Sequence, residues 1–284
     1  MNHKSIVGVD LGGTNVRAGL IIDNQIVKIE SCSISSSKPE AYVLEEVIAT
    51  IDKIFERDVA GIGVGVPSVV DTERGIVYDV QNIPSWKEVH LKQKLEDYFK
   101  VPVYINNDAN CFAIGERYFG HGSDYKNIVG LISGTGLAAG IIINGKLYDG
   151  YNCGAGEFGM IPYKDHNYEY YCSGQYFAKE HQIPGDKLFQ MASDGEPEAL
   201  DIFKAYGANL GNAIKTILYS VDPEIIILGG SVSKAYSFFE DTLAEKLESF
   251  AYTPVVDRLT IRVSETPHIA VLGAAALYFD KRDN

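Results

Sequence analysis

The sequence predicts an α/β protein of two lobes, each built on a β-β-β-α-β-α core. Apolar runs of strand length alternate with segments of helical spacing along the chain. The 284 residues are enough for two ordinary lobes. The pattern of the first strands also occurs a second time, near residue 128. We therefore expect two sheets of related design, one in each lobe.

The first lobe is predicted to begin with three strands, followed by alternating helices and strands. Apolar runs bounded by Gly, Pro or Asn indicate strands, and Val43, Val47 and Ile51 recur at helical spacing. A further helix begins at the polar end of the last strand and ends near residue 119. The other predicted helices are residues 40–57 and 88–99, and the strands are residues 6–9, 18–22, 26–31 and 101–110. Residues 60–71 contain a further buried strand, which is predicted to end at Gly65 and Pro67.

The second lobe is predicted to repeat this plan, beginning with the long apolar run at residues 128–143. A membrane span is the alternative interpretation of this run, but its four glycines, serine and threonine favour two strands around a turn. The last helix is rich in small residues and is expected to pack closely. The later predicted helices are residues 199–221, 240–250 and 270–279, and the strands are residues 224–228 and 259–265.

Composition limits the classes of function. The net charge of -13 disfavours nucleic acid or an anionic membrane as the main partner. A phosphate site is still possible, because such sites use backbone N–H groups and bound metal. The four cysteines are scattered and indicate neither a disulfide framework nor a cysteine zinc cluster. The N-terminus has no signal-peptide apolar region, so we expect a cytoplasmic protein.

Two strand-turn-strand segments share a Gly-Thr pattern. VDLGGTNVRAGLIIDN starts at Val9 and ISGTGLAAGIIING starts at Ile132. Glycine lets backbone N–H groups approach an anion closely, so each turn is a candidate phosphate nest, and two lobes would place two nests across a cleft. Two ordinary hairpins are the alternative. The candidate residues are Gly12, Gly13, Thr14, Asn15, Gly134, Thr135 and Gly136.

Asp108 is the sharpest single candidate for a catalytic residue. It lies in INNDANC, after a predicted strand and at the start of a helix, whose N-terminus favours an ionised carboxylate. A positioned, ionised Asp can accept the proton of a substrate hydroxyl. Helix capping is the alternative role. Asn106 and Asn107 offer donors and acceptors that suit a polyhydroxy ligand, although turn formation would also explain them.

Other acidic residues and one glycine pair are weaker candidates. Asp10 directly precedes the first Gly-Thr turn and could bind Mg²⁺, either directly or through water, or be an ordinary turn aspartate. Glu157 and Glu169 could accept hydrogen bonds from sugar hydroxyls, or be solvated loop acids. The pair Gly229-Gly230 joins a strand to a helix and could contact a nucleotide or be an ordinary turn, with Ser231 or Ser233 capping the helix.

Eight segments, in this order, resemble the ROK family of sugar kinases and repressors: DLGGTNVRAGL, GVGVPSVVD, VQNIPSW, NNDAN, SGTGLAAGIIINGKLYDG, GAGEFG, DPEIIILGG and LGAAAL. The resemblance spans nearly the whole chain. It implies an actin-like, hexokinase-like (ribonuclease H-like) fold, with a first lobe at residues 1–118 that the last helix, residues 268–284, rejoins. The second lobe would then be residues 119–267. It also implies transfer of the ATP γ-phosphate, with Mg²⁺, to a sugar hydroxyl, and a homodimer.

The resemblance also implies roles for individual residues. Asp108 resembles the catalytic base and Asn107 its sugar-binding neighbour. Asp10 would lie near the metal. Further sugar contacts are implied for Gly65, Asn82, Glu157 and Glu169. The first phosphate loop would be Gly12, Gly13 and Thr14 with Asn15, the second Gly134, Thr135 and Gly136, and the adenosine neighbours Gly229 and Gly230.

The sequence departs from the family pattern where the family binds a structural zinc. GEFGM has Met160 where the family has a histidine that also contacts the sugar, and NYEYYCSG has Asn167 at a cysteine position. We therefore expect no zinc site. Four tyrosines are candidates to fill the volume instead, namely Tyr163, Tyr168, Tyr170 and Tyr171.

Three other functions compete with a hexose or N-acetylhexosamine kinase. A repressor of this family would need an N-terminal helix-turn-helix, for which a first strand starting near Ser5 leaves no room. A catalytically silent sugar-binding or regulatory protein is the main alternative, and the intact Asp10, Asp108 and both Gly-Thr turns argue against it. The fold also serves carboxylate and polyol kinases. The family default is phosphorylation of the 6-OH. The candidate sugars are glucose, N-acetylglucosamine, N-acetylmannosamine, fructose and allose, and of these we expect glucose or N-acetylglucosamine.

Overall fold

The computed structural model describes residues 4–80 and 82–281 of the chain. Its strands, in chain order, are β1 (Ser5–Leu11), β2 (Asn15–Ile22), β3 (Gln25–Ser33), β4 (Val59–Val66), β5 (Val69–Asp71), β6 (Ile76–Tyr78), β7 (Glu88–Val89), β8 (Val103–Asn107), β9 (Ile128–Ser133), β10 (Leu137–Ile143), β11 (Lys146–Leu147), β12 (Pro162–Tyr163), β13 (His166–Asn167), β14 (Ile225–Gly229) and β15 (Thr260–Val263).

The helices connect these strands. Short 3-10 helices lie at Phe158–Met160 and Val232–Phe238, and a π-helix at Tyr176–Glu180. The α-helices are α1 (Glu40–Asp52), α2 (Leu91–Phe99), α3 (Asp108–Phe119), α4 (Tyr168–Tyr171), α5 (Gly185–Ser193), α6 (Pro197–Val221), α7 (Glu240–Glu248), α8 (Thr253–Arg258) and α9 (Ile269–Asp280). None of the helices in the described ranges is long and apolar enough to cross a membrane.

Two five-stranded sheets have the same strand order. The first is β3-β2-β1-β4-β8 and the second is β11-β10-β9-β14-β15, so each reads third, second, first, fourth, fifth along its own segment. Both sheets are mixed. In the first, β1 is antiparallel to β2 and parallel to β4; in the second, β10 is antiparallel to β11, and β14 is parallel to β9 and β15. The duplicated plan predicted from the sequence is confirmed.

The chain divides into two compact units. Unit 1 runs up to Asp124 and adds residues 140–155 and the chain from Glu265 onward, and unit 2 consists of residues 125–139 and 156–264. Residues 140–155 thus belong to unit 1, whereas the predicted lobe boundaries place them in the second lobe. One reason is the close approach of Gly140 to α3, because a Cβ at Gly140 would lie 2.4 Å from the Ala109 carbonyl oxygen.

The first sheet is covered on both faces. One face packs on α1 and α2 around a large aliphatic core, and α9 covers the other. Close packing of the small residues of α9 is confirmed by two glycines of the sheet. A Cβ at Gly63 would lie 1.7 Å from the Ala274 carbonyl oxygen, and one at Gly8 would lie 2.0 Å from that of Val271. The backbone of α9 therefore packs directly against the backbone of the sheet at these two glycines.

The predicted boundaries hold at one place in unit 1 and fail at another. The strand predicted to end at Gly65 and Pro67 does end at Val66, because Pro67 cannot donate a ladder hydrogen bond, and residues 69–71 form a short second strand. The predicted helix at residues 88–99 begins only at Leu91, since Glu88–Val89 pairs with β6 in a small three-stranded sheet. The other predicted elements are present, with ends shifted by a few residues.

Candidate active site

Three neighbouring parallel strands of the first sheet, β1, β4 and β8, end at the same edge. The register aligns Asp10 with Gly65, and Gly65 with Asn106. Asn107 and Asp108 follow directly at the end of β8. Ligands of open α/β sheets bind outside the carboxyl ends of the strands. The structure therefore brings five residues of unit 1 that the sequence singles out to one edge of one sheet.

Asn106 supports this edge from inside rather than binding a ligand. Its side chain is fully buried. Its Oδ1 accepts hydrogen bonds from the Asn107 N–H at 2.8 Å, from Asn110 Nδ2 at 2.9 Å and from Cys153 Sγ at 3.1 Å. Its Nδ2 donates to Asp149 Oδ2 at 3.4 Å. The suggestion that Asn106 itself contacts a polyhydroxy ligand is wrong, because its polar atoms are already occupied within unit 1.

Asp108 is the first residue of α3, and Asn107 is its N-cap. The Ala109 N–H donates to Asn107 Oδ1 at 2.8 Å and to Asp108 Oδ1 at 2.9 Å. The Asn107 amide also donates to the Ser68 carbonyl oxygen at 3.2 Å, which holds the start of the helix against the end of β4. Capping, the alternative role for Asp108, thus falls mainly to its neighbour. The half-buried Asp108 carboxylate lies at the positive end of the helix dipole.

Cys111 lies behind this carboxylate. Burial raises the pKa of the Cys111 thiol well above its usual range, and the negative charges of Asp108 and Asp10 raise it further. The thiol therefore stays neutral at physiological pH. A Cβ at Gly65 would lie 3.0 Å from Cys111 Sγ and 3.8 Å from the Asp108 Cα. Glycine at position 65 thus allows β4 to approach the beginning of α3.

The first Gly-Thr turn is held by its own residues and by the end of β3. The Gly12 N–H donates to the Asn15 carbonyl oxygen at 2.8 Å, and Asn15 Nδ2 donates to Thr14 Oγ1 at 3.1 Å. The Ile34 N–H donates to the Thr14 carbonyl oxygen at 2.8 Å. Next to this turn is a cavity of about 320 Å³, lined by Asp10, Gly12, Thr14, Asn15, Arg17 and Ser31.

Asp10 opens onto this cavity, opposite Arg17 in the register of β1 and β2. Burial raises the pKa of Asp10, and the Arg17 guanidinium partly opposes that rise. Proteins usually bind Mg²⁺ through one or two carboxylates together with water and substrate phosphates. Asp10 is a single carboxylate beside a turn that could bind phosphate, so it fits that pattern.

Asn82 is an exposed residue of unit 1 that lies in a turn with a left-handed φ.

The second Gly-Thr turn joins β9 to β10 in unit 2. The Gly134 N–H donates to the Gly136 carbonyl oxygen at 3.0 Å. Two groups from another part of unit 2 also bind the turn. The Gly174 N–H donates to the Gly134 carbonyl oxygen at 2.8 Å, and Gln175 Nε2 donates to the Thr135 carbonyl oxygen at 3.3 Å. This turn is thus supported from outside.

A cavity of about 710 Å³ extends from the second turn. Gly230 directly follows the last residue of β14 and adopts the left-handed conformation, with φ of 87°. Its neighbour Ser231 lines the cavity, whereas Gly229 and Gly230 do not. Ser233 Oγ donates to the Gly230 carbonyl oxygen at 2.8 Å, whereas the Ser231 side chain makes no capping bond, and the helix that follows is a 3-10 helix. The lining residues are Gly134, Thr135, Gly174, Gln175, Phe177, Ala178, Lys179, Gly185, Asp186, Phe189, Phe203, Ser231, Val232, Lys234 and Ala235.

Glu157 and Glu169 are close enough in unit 2 to influence each other. Glu169 Oε2 accepts a hydrogen bond from the Leu137 N–H at 3.2 Å, directly after the second turn. Loss of hydration and, second, the negative charge of Glu169 raise the pKa of Glu157. The two glutamates predicted to bind the sugar thus lie near each other and near the second turn of unit 2.

The segment around Met160 is packed with aromatic rings. Tyr163 stacks on Tyr168 with ring centroids 4.5 Å apart and meets Tyr171 edge-on at 5.6 Å. Lys164 Nζ lies 4.5 Å from the centroid of the Tyr171 ring. Among residues 4–80 and 82–281, no three His, Cys, Asp or Glu side chains form a group that could hold a metal ion. The expected lack of zinc stays a prediction.

Three supporting residues had no signal that the sequence patterns could use. Asp149 and Cys153 bind Asn106 from positions 43 and 47 residues away, and Gln175 binds the second turn from a distance of 40 residues. Cys153 also adopts a left-handed φ of 55°. Its place in Asn-Cys-Gly is a weak turn signal, which is the only local hint in the sequence.

The comparisons with known proteins agree with this geometry. The ROK family model matches residues 6–281. A glucokinase of Halalkalibacterium halodurans is 29% identical over 93% of this chain and 91% of its own. A xylose repressor of Caldicellulosiruptor bescii is 26% identical over 96% of this chain and 77% of its own.

A solved structure extends the agreement to three dimensions. A ROK family glucokinase from Streptomyces griseus, in complex with glucose and AMPPNP, superposes with a TM-score of 0.81 at 26% identity, covering 96% of this chain and 98% of that one. The α/β fold with two mixed five-stranded sheets is therefore the hexokinase-like fold of such proteins. Because the family model spans nearly the entire sequence, the chain belongs to the ROK family.

Proposed function

We propose that this protein is an ATP-dependent sugar kinase that phosphorylates a hydroxyl of a hexose or N-acetylhexosamine. Glucose and N-acetylglucosamine are the first candidate substrates, and the 6-OH is the candidate reacting group. The main support is the position of Asp108, half-buried at the N-terminus of α3 and at the carboxyl edge of the first sheet. The similarity to glucokinases supports the same reaction class.

Asp108 is proposed as the general base. Its carboxylate accepts the proton of the reacting sugar hydroxyl while that oxygen forms a bond to the γ-phosphorus of ATP. The bond between this phosphorus and the bridging oxygen breaks, and ADP leaves. General-base catalysis of this kind typically contributes about 10²–10⁴-fold to the rate. The Asn107 cap and the buried Asn106 support this role by fixing where α3 begins.

The sugar is proposed to bind beside Asp108. Asn107 can donate the second hydrogen of its Nδ2 to a sugar hydroxyl, since the first is donated to the Ser68 carbonyl oxygen. Gly65 is a proposed contact through its backbone, because the space of a side chain there is taken by Cys111. Asn82, Glu157 and Glu169 are further proposed contacts. Carboxylate oxygens are strong acceptors for hydroxyl donors. These assignments follow the family resemblance, and binding measurements on variants would test each of them.

Each of the two Gly-Thr turns is proposed as a phosphate-binding turn, and the large cavity of unit 2 as the adenosine site. Backbone N–H groups of Gly12–Thr14 and Gly134–Gly136 would bind phosphate oxygens. Adenosine would occupy the cavity of about 710 Å³, which is lined by Ser231, the residue that follows Gly229-Gly230. Asp10 would hold Mg²⁺, which neutralises phosphate charge when bound. Positioning and charge neutralisation then supply most of the catalysis.

A catalytically silent, sugar-binding regulatory protein is the second candidate. One observation favours it, namely the similarity to xylose repressors across 96% of this chain. In that case the protein would bind a sugar without transferring phosphate to it.

The deciding experiment measures ADP release from MgATP across a panel of hexoses and N-acetylhexosamines. Wild type and Asp108→Asn are compared, with Asp97→Asn as a control that removes the same charge from an exposed position of α2. We expect turnover with one or more sugars, and Asp108→Asn should lower it by about 10²–10⁴-fold while sugar binding persists. Sugar binding without turnover in wild type would favour the regulatory protein. Unchanged turnover in Asp108→Asn would exclude Asp108 as the base.

A further inference from the structure

We propose that Glu169 and Gln175 are positioning residues that hold the second Gly-Thr turn in its anion-binding shape. This inference rests on the proposed kinase function, because it assigns the turn to the nucleotide phosphates. Glu169 then has a role in addition to the predicted sugar contact. Gln175, which the sequence patterns did not single out, also has a role.

The two side chains form a brace around Thr135. Glu169 Oε2 accepts from the Leu137 N–H at 3.2 Å, and Glu169 Oε1 accepts from Gln175 Nε2 at 3.0 Å. The same Gln175 Nε2 donates to the Thr135 carbonyl oxygen at 3.3 Å. An amide nitrogen has two hydrogens, so these two bonds use its full donor capacity. The brace therefore fixes the backbone on both sides of Gly136.

Lys179 sets the orientation of the brace. Its ammonium group donates to Gln175 Oε1, and this requires the amide nitrogen to face Glu169 and Thr135. Glu169 also packs directly on the turn, since a Cβ at Gly136 would lie 2.5 Å from Glu169 Oε2. The brace thus consists of the Glu169 carboxylate, the Gln175 amide and the backbone of the turn, joined by hydrogen bonds.

The brace acts on the phosphate nest through the planarity of the peptide bond. In a trans peptide the C=O of one residue and the N–H of the next point in opposite directions. The carbonyl oxygens of Gly134 and Thr135 are bound by Gly174 and Gln175. The N–H groups of Thr135 and Gly136 must then point to the other side. Two donors are thereby aligned before any anion arrives, and two acceptors that would repel phosphate are turned away.

The test compares two ligands that share the nucleoside and differ in the phosphates. Equilibrium binding of AMPPNP and of adenosine is measured for wild type, Gln175→Ala and Gln175→Glu, with Gln190→Ala on the exposed face of α5 as the matched control. We expect Gln175→Ala to weaken AMPPNP binding by roughly tenfold, since it removes the bond to the turn and the charge-assisted bonds with Glu169 and Lys179. Gln175→Glu should weaken it more, and adenosine binding should change by less than about twofold.

The adenosine measurement separates the brace from direct contact. Gln175 also lines the large cavity, so a direct contact with the nucleoside would weaken both ligands equally. An equal loss for both ligands would overturn this inference alone. A wild-type protein that binds no AMPPNP would overturn the proposed function together with the brace.

A double-mutant cycle with Glu169→Gln gives a second test. If the two residues act as one brace, Gln175→Ala should weaken AMPPNP binding by less than about twofold once Glu169 has been changed. Fully additive effects would show that the two side chains act separately, and the proposed brace would be wrong.

Discussion

The two Gly-Thr turns have the same sequence pattern and the same place in their sheets, yet they are supported in different ways. The first is held by its own residues and by the end of β3, close by in the sequence. The second is held by residues 169–175, on a different stretch of unit 2. A short motif can therefore predict a turn without predicting what keeps the turn in place.

The roots of the two turns differ in the same sense. Ser133, which precedes the second turn, is buried, and its hydroxyl lies 2.7 Å from Tyr206 Oη and donates to the Cys172 carbonyl oxygen at 2.8 Å. Leu11, which precedes the first turn, is also buried, but its side chain is apolar and makes no hydrogen bond there. We infer that substitutions near the second turn affect the stability of the fold more than those near the first.

The largest expected effect is that of Gly230→Ala, beside the root of the second turn. Its φ of 87° is unfavourable for alanine, and the new Cβ would lie 2.1 Å from the Ser133 carbonyl oxygen. Gly195→Ala is the matched control, because φ is 82° there and nothing lies within 4 Å of the new Cβ. We expect the control to lose about 1–2 kcal/mol of stability and Gly230→Ala at least about 3 kcal/mol.

Thermal and denaturant unfolding of the two variants would measure this difference. Equal losses of stability in the two variants would mean that the cost at Gly230 comes from backbone strain alone. The short distance to the Ser133 carbonyl oxygen would then contribute nothing to that cost.

A smaller effect is expected within the second turn itself. Gly136→Ala places a Cβ 2.5 Å from Glu169 Oε2, which must move and give up its bond to Leu137. Gly134→Ala meets only Ser231, at 3.9 Å. We expect Gly136→Ala to lose about 1–3 kcal/mol of stability and Gly134→Ala less than about 0.5 kcal/mol, as measured by unfolding. A larger loss in Gly134→Ala would contradict the account of the brace.

The smallest effect is expected at Asp10, beside the first turn. Burial raises its pKa in the folded state above the ordinary 3.8, so folding favours the protonated form. The carboxylate therefore lowers stability at pH values above its folded-state pKa, and this penalty disappears below pH 3.8. Asp10→Asn should raise the free energy of unfolding at pH 7 by about 1 kcal/mol. This advantage should vanish as the pH falls.

Unfolding curves of Asp10→Asn across pH would check this sign, with the exposed Asp58→Asn as control. A stability loss at pH 7 would show that the attraction between Asp10 and the Arg17 charge outweighs the cost of burial.

The sequence was sufficient for the duplicated strand order, because repeated periodicity and turn residues are local signals. It also located Asp108 and both turns. It did not reveal that Asn106 is a buried support, because its partners Asp149 and Cys153 are more than forty residues away. The end of β4 before Pro67 was predicted, since proline cannot continue a strand ladder. Gln175 could not be predicted, because its partners are backbone atoms brought together only by the fold.

The contact between α9 and the first sheet has a consequence for how the protein is made. Ile6 and Ile21 of the sheet are covered by Val271, Leu272 and Tyr278 of α9. All of unit 2 is translated between β1 and α9. The last strand of the first sheet, β8, ends at Asn107, and α9 begins at Ile269. At about 5–20 residues per second, the ribosome needs roughly 8–32 s to translate the chain between them. During that time the first sheet lacks the helix that covers its apolar face, so a chaperone could bind this face before α9 emerges.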